Sequence, residues 1–184
     1  QKEQDARRFL AQMQARMRQF GLTLSAAKTR LIEFGRFAHQ QRQRRGQGKP
    51  ETFDFLGFTH CCGVDRRGKF QVIRLTMKKR MRVTLAAIRA ELMRRRHQPV
   101  PVVGKWLRTV VQGYFAYYAV PTNLYRLDGF RSEVCRAWRH ALKRRSQRNR
   151  QTWDRFNRLA IRYIPHPRQV HPYPERRFYA LYPR

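Results

Sequence analysis

The chain has 184 residues, with 42 Lys and Arg against 11 Asp and Glu, a formal charge of +31. That excess lies far beyond the net charge of about 2 to 8 that keeps a small domain soluble, and it repels itself in a compact state unless a polyanion neutralises it. Nucleic acid is the first candidate and an anionic membrane surface the second; a spanning helix is excluded, because the most apolar run, 110–121, is broken by Gln112, Gly113 and Pro121 and falls short of roughly 20 residues.

Residues 4–20 read as a helix, with Phe9, Leu10, Met13, Met17 and Phe20 at helical spacing and Gly21 ending it. The period then changes, predicting two short strands or strand-like edges around a tight connection opened by Ser25. Residues 36–50 are polar and basic, close with Gly46, Gly48 and Pro50, and are predicted as a loop. Residues 53–64 and 69–75, joined by DRRG at 65–68, predict a β-hairpin with Gly68 at the turn. Within FDFLGFTH, alternation puts Phe53 and Phe55 on one face and Asp54, Leu56 and Phe58 on the other. Gly57 would let another backbone approach closely.

Helical spacing resumes after Thr76, the predicted N-cap, through Met77, Met81, Leu85, Ile88 and Leu92. The prolines of HQPVPVVG, 97–104, end that helix. A second helix is predicted over about 104–119, with Leu107, Val110, Val111, Tyr114 and Tyr118 inward. Pro121 stops it. Asn123 is placed to cap a third helix, which carries Leu124, Leu127, Phe130, Val134, Trp138 and Leu142. A fourth runs from about Thr152 to Tyr163 through Phe156 and Leu159, and the proline-rich residues that follow are extended, either docked on the bundle or loose. The reading is an α+β chain: a small mixed piece with the hairpin at 1–75, a helical bundle at 76–163 and an extended tail at 164–184.

The basic residues of the bundle carry the strongest functional signal. Lys78, Lys79, Arg80 and Arg82 open the first bundle helix and Arg94, Arg95 and Arg96 close it. Lys105 and Arg108 lie on the second helix; Arg136, Arg139, Lys143, Arg144, Arg145 and Arg148 fall on or just beyond the third. Guanidinium groups bond phosphate bidentately, and helical spacing spreads such contacts along a backbone. A-form duplexes are read by shape, phosphates and 2′-hydroxyls, which suits a positive groove; the competing reading is a solvated face. Tyr114, Tyr117 and Tyr118 could stack on bases, but their apolar helix favours core for at least two of them. Trp138 reads as core. His60, Cys61 and Cys62 are adjacent, cannot easily wrap one tetrahedral ion and have no CxxC partner, so no metal site is expected. Three cysteines without regular spacing argue against a disulfide framework and for a reducing compartment.

Four stretches, in order, carry a family resemblance: FGLTLSAAKTRLIEFGRFA at 20–38, KPETFDFLGFTH at 49–60, GYFAYYAVP at 113–121 with FRSEVCRAWRHALKRRSQR at 130–148, and HPYP at 171–174. Together the chain resembles the C-terminal part of the reverse transcriptase-maturases encoded by bacterial group II introns: the end of the palm, then the thumb, or maturase X domain. The resemblance implies that Lys28 faces the incoming nucleotide. It makes Phe55, Leu56, Gly57 and Phe58 a primer-grip hairpin, and the basic bundle a surface for group II intron RNA and an RNA–DNA template–primer duplex in the bacterial cytoplasm. It places the paired catalytic aspartates and their Mg²⁺ upstream of Gln1, in a palm on the same or a separate chain. The carboxylates present are dispersed, so this chain alone is expected neither to polymerise nor to bind a cofactor. The alternative is a thumb-derived RNA-binding module with no reaction of its own.

Overall fold

Charge and glycine placement set the first element. The computed structural model, which describes residues 2–146 and 152–174, forms helix α1 over Glu3–Gln19. Glu3 and Asp5 in its first turn and Arg16 and Arg18 in its last match the helix dipole, and Gly21, with φ 69°, ends it. The two predicted strands that follow do not form: 22–25 and 29–34 run without a ladder. The Ser25 carbonyl instead accepts from Lys28 N (3.1 Å), Thr29 N (2.9 Å) and Thr29 Oγ1 (2.8 Å). This local bonding closes the tight connection and competes with strand pairing. The predicted loop at 36–50 contains a short helix, α2, over Ala38–Arg44. Its Gln and Arg residues are good helix formers, Ala38 is buried, and Gly46 at φ 66° supplies the stop.

Three strands form one antiparallel sheet in the order β1 (Phe53–Phe55), β2 (Phe58–Val64), β3 (Phe70–Thr76). The β2–β3 hairpin turns at Gly68, as predicted, with φ 74°. The β1–β2 connection is only Leu56–Gly57, both left-handed at φ 47° and 80°, the signature of a two-residue primed turn. That turn changes the predicted facing. Phe55 pairs directly with Phe58, so the two rings share a face instead of opposing each other.

Helices α3 (Lys78–Arg94), α4 (Val100–Tyr118), α5 (Leu124–Lys143) and α6 (Trp153–Tyr163) make the bundle. Leu85, Ile88 and Leu92 meet Leu107 and Val111, Leu127, Phe130, Val134 and Trp138, and Phe156 in one apolar core. Helix α4 starts before its predicted residue because Pro101 sits in the first turn, where a missing N–H costs nothing. On α4, Gly104 gives Tyr163 room: a Cβ there would stand 2.6 Å from the ring.

Asn123 occupies the position before α5, but its side chain does not cap that helix. It is fully buried and accepts from Thr76 N (2.9 Å), while its amide donates to Thr76 Oγ1 (2.7 Å) and to Tyr118 O (2.9 Å). Thr76, predicted as an N-cap, serves this network instead; Met77 precedes the helix. The sheet therefore packs with the bundle. The compact units are Gln1–Glu51 and Thr52–Arg184, whereas the sequence reading groups the hairpin with the first 51 residues. Residues 164–173 contain neither helix nor strand and are docked: Val170 N and His171 N donate to Ala119 O at 3.1 and 3.2 Å. The last part of the predicted tail and Arg148 lie outside the described residues. No helix among the described residues is long and apolar enough to cross a membrane.

Replacing Asn123 with Ala strands the Thr76 N–H without a partner in a buried place and takes one of two donors from the Tyr118 carbonyl, which keeps Val120 N at 2.8 Å. The expected cost is roughly 3 kcal/mol, a fall in Tm of about 10 °C for a chain of this size. Thermal denaturation followed by circular dichroism measures it; an unchanged midpoint would show that the amide contributes nothing.

Candidate nucleic-acid interface

The turn between β1 and β2 is built against a local rule. A leucine in the left-handed region carries strain of about 1–2 kcal/mol, and such strain persists only where the surroundings over-determine it. Here Tyr117 Oη donates to Leu56 O at 2.8 Å and Met77 N donates to Gly57 O at 3.0 Å. The turn is thus pinned to α4 on one side and to the start of α3 on the other. Of Phe55, Leu56, Gly57 and Phe58, Phe55 and Leu56 are presented, at 59% and 66% exposure. Phe58 is buried against Tyr117 and Tyr118, with ring centroids 5.8 and 5.3 Å away. Gly57 is half-buried; a Cβ there would meet Tyr118 Oη at 3.0 Å, so its close neighbour is this hydroxyl.

Directly beside the turn, α3 opens with Lys78, Lys79 and Arg80, all exposed, and with no acidic residue in its first turn. The positive end of a helix favours acids. Three cations there oppose helix stability and strengthen the local attraction for an anion. Arg82 is exposed as well. Among the described residues none of these four forms an ion pair.

The predicted basic surface divides into residues presented to solvent and residues with structural work. Lys105, Lys143, Arg144 and Arg96 are exposed, although Arg96 Nε donates to His97 Nε2 at 2.8 Å. Arg94 and the half-buried Arg95 both grip Glu91, the former at 2.6 Å, and Arg95 also lies 5.0 Å from the Trp106 ring. Arg108 ties α4 to the end of α6 by donating to Arg162 O at 2.7 Å. Arg139 stacks on Trp153 at 3.9 Å, Arg145 reaches His97 O at 3.5 Å, and Arg136 pairs with Glu133. Lys28 is exposed within the first unit, in the turn closed by Ser25. The sequence reading missed Arg155, Arg158 and Arg162. All three are exposed on α6, away from the buried Phe156, Ala160 and Tyr163; their i, i+3, i+7 spacing is the signal that could have found them.

Of the three tyrosines considered for base stacking, Tyr114 is buried, Tyr118 is half-buried against the core and Tyr117 is exposed. Tyr114 stacks on Phe130 at 3.8 Å, and burial pushes its hydroxyl pKa well up. Trp138 is fully buried. His60 stacks on Phe53 at 4.7 Å, and burial lowers its pKa; burial raises that of the Cys61 thiol. Among the described residues no three His, Cys, Asp or Glu side chains gather as a metal site would need. The described residues offer no carboxylate cluster of the kind a two-metal centre uses. What the arrangement can do is hold phosphates and present an apolar turn beside them. Neither a scan against protein-family models nor searches of curated proteins and of solved structures gives a match.

Two outcomes test this geometry. Leu56→Asn creates the Asn-Gly pair that primed turns favour and is expected to raise stability by about 1 kcal/mol, read as a higher thermal midpoint; a lower one would mean the turn is unstrained. Hydrogen bonds from Arg94 and then Arg95 hold the Glu91 carboxyl down from 4.5 to about 2. A depressed carboxylate stabilises the fold above its ordinary range and loses that contribution as pH falls from about 4.5 toward 2. In an NMR titration the Glu91 midpoint should lie near the lower value and rise in Arg94→Ala.

Proposed function

We propose that this chain is the RNA- and duplex-holding part of a group II intron-type reverse transcriptase-maturase. Its partners are the intron RNA and an RNA–DNA template–primer duplex in a bacterial cytoplasm. The observation that carries the reading is the junction of β3 and α3: cations without an ion pair among the described residues on the positive end of a helix, beside a strained turn that presents Phe55 and Leu56. An extended polyanion with an apolar sugar edge suits both halves of that surface. The bundle's exposed Lys105, Lys143, Arg144, Arg155 and Arg158 extend the phosphate contacts. Mg²⁺, deoxynucleotides and the aspartates that use them belong, in this proposal, to a palm segment on the same or a separate chain, and Lys28 would face the nucleotide there.

A second reading has one observation in its favour. The unit Thr52–Arg184 carries an apolar core of its own, as a freestanding thumb-derived RNA-binding module would need. Both readings assign the same surface to RNA.

The test is a triple variant, Lys78→Ala with Lys79→Ala and Arg82→Ala. Affinity for an RNA–DNA hybrid should fall, and the slope of log K against log salt should flatten by about one for each phosphate contact removed, about three in all. An unchanged slope in a variant with the wild-type thermal midpoint would overturn the reading.

A further inference from the structure

The turn between β2 and β3 reads from sequence as a connector only, yet it is a rigid and strongly cationic tip. Asp65 turns its carboxylate inward: Oδ1 accepts from Arg67 N at 2.8 Å and Lys69 N at 2.9 Å. Asp65 N donates to Lys69 O at 2.8 Å, Gly68 N donates to Asp65 O at 3.0 Å, and Gly68 stands at φ 74°. The tip's one acid is thereby committed to its own backbone. Arg66, Arg67 and Lys69 are exposed and form no ion pair among the described residues.

Strand β3 links this tip to the other cationic cluster. Lys69 precedes the strand and Lys78 follows it; nine extended steps span about 30 Å. The inner end of β3 is anchored, since Thr76 is bonded to Asn123 and Arg74 N donates to Thr122 Oγ1 at 3.1 Å. Two cation clusters therefore stand at a fixed separation on one rib. A strand of B-DNA carries a phosphate about every 3.4 Å of axis and an A-form duplex rises less per base pair, which makes this reach roughly ten base pairs. We propose that Arg66, Arg67 and Lys69 form a second phosphate-binding site. It engages the same RNA-containing duplex as Lys78, Lys79 and Arg80, about one helical turn away. This rests on the function proposed above.

Simultaneous engagement of two linked sites adds affinity only when the ligand is long enough to reach both. The experiment compares the 184-residue chain with the Arg66→Ala, Arg67→Ala, Lys69→Ala variant on RNA–DNA hybrids of about 6 and about 20 base pairs, sizes that fall short of and exceed the span. Fluorescence anisotropy reports binding and the thermal midpoint reports folding. On the short hybrid the two proteins should bind nearly alike. On the long one the variant should bind about tenfold or more weakly, with a salt slope lower by about three. Equal binding on the long hybrid overturns the second site; if the triple helix variant is weakened there, the proposed function stands. Equal binding by both variants overturns both. Tip-dependent binding to anionic phospholipid vesicles, with the long hybrid unaffected, also overturns the assignment.

Discussion

The buried amide of Asn123 fixes where the outward cations stand. A charge helps to bind a patterned polyanion only if its position is known in advance, and lysine and arginine side chains bring no rigidity of their own. The backbone beneath them must supply it. Asn123 joins the end of β3 to the corner between α4 and α5 through the Thr76 N–H, the Thr76 hydroxyl and the Tyr118 carbonyl. Its neighbour Thr122 extends the clamp. Thr122 sits at φ 75°, which costs about 1–2 kcal/mol for a side chain of this kind. Its hydroxyl accepts from Arg74 N at 3.1 Å and donates to Arg74 O at 3.4 Å, offsetting that strain. Together the two residues finish the inner edge of β3 with side chains where another strand would otherwise pair.

Charge is distributed with similar economy. Residues 52–184 hold 30 Lys and Arg against 7 Asp and Glu, so most cations cannot have an acidic partner. Four of the acids are spent on contacts within the fold. Asp54 accepts from Thr59, Asp65 closes its own turn, Glu91 holds Arg94 and Arg95, and Glu133 holds Arg89 and Arg136. These pairs settle the C-terminal end of α3 and its seam with α5. Among the described residues the N-terminal end of α3 receives none. Repulsion is therefore relieved where the bundle must cohere and left standing beside the presented turn. Bound phosphate would relieve what remains and add stability to the folded state by mass action.

The bundle was legible in the sequence because its signal is redundant. Each of α3, α5 and α6 repeats an apolar residue every three or four positions, and Leu85, Leu127, Trp138 and Phe156 fall in the core their spacing demands. The hairpin was legible from its turn chemistry at Gly68. The errors came where local and tertiary forces compete. Leu56 does not announce a left-handed turn, because hydrogen bonds from Tyr117 to its carbonyl and from Met77 to that of Gly57 help hold the turn, and both donors are distant in sequence or across an element boundary. Asn123 reads as a cap since its type suits one, but a buried Thr76 gave its amide better partners. Of the candidate site, the cations could be counted but not sorted. Whether an arginine serves a helix end, as Arg94 does, or solvent, as Arg144 does, depends on neighbours that spacing alone does not place.

The two compact units differ in what holds them. In Thr52–Arg184, side chains from four helices close a core. In Gln1–Glu51 only Ala38 is buried among the described residues, and Phe9, Phe20, Leu22 and Phe37 stay more than half exposed. Helix α1 keeps ion pairs such as Glu3–Arg7 at 2.6 Å, each worth a few tenths of a kcal/mol. A helix of 17 residues is marginal in water on such terms. Its stripe of Leu10, Met13 and Met17 has the spacing of a core-facing helix without the burial that normally stabilises one. That stripe is half-buried, so the first unit draws less on apolar burial than the second does. A hydrophobic pattern specifies which face a helix will bury, and it leaves open what will cover that face.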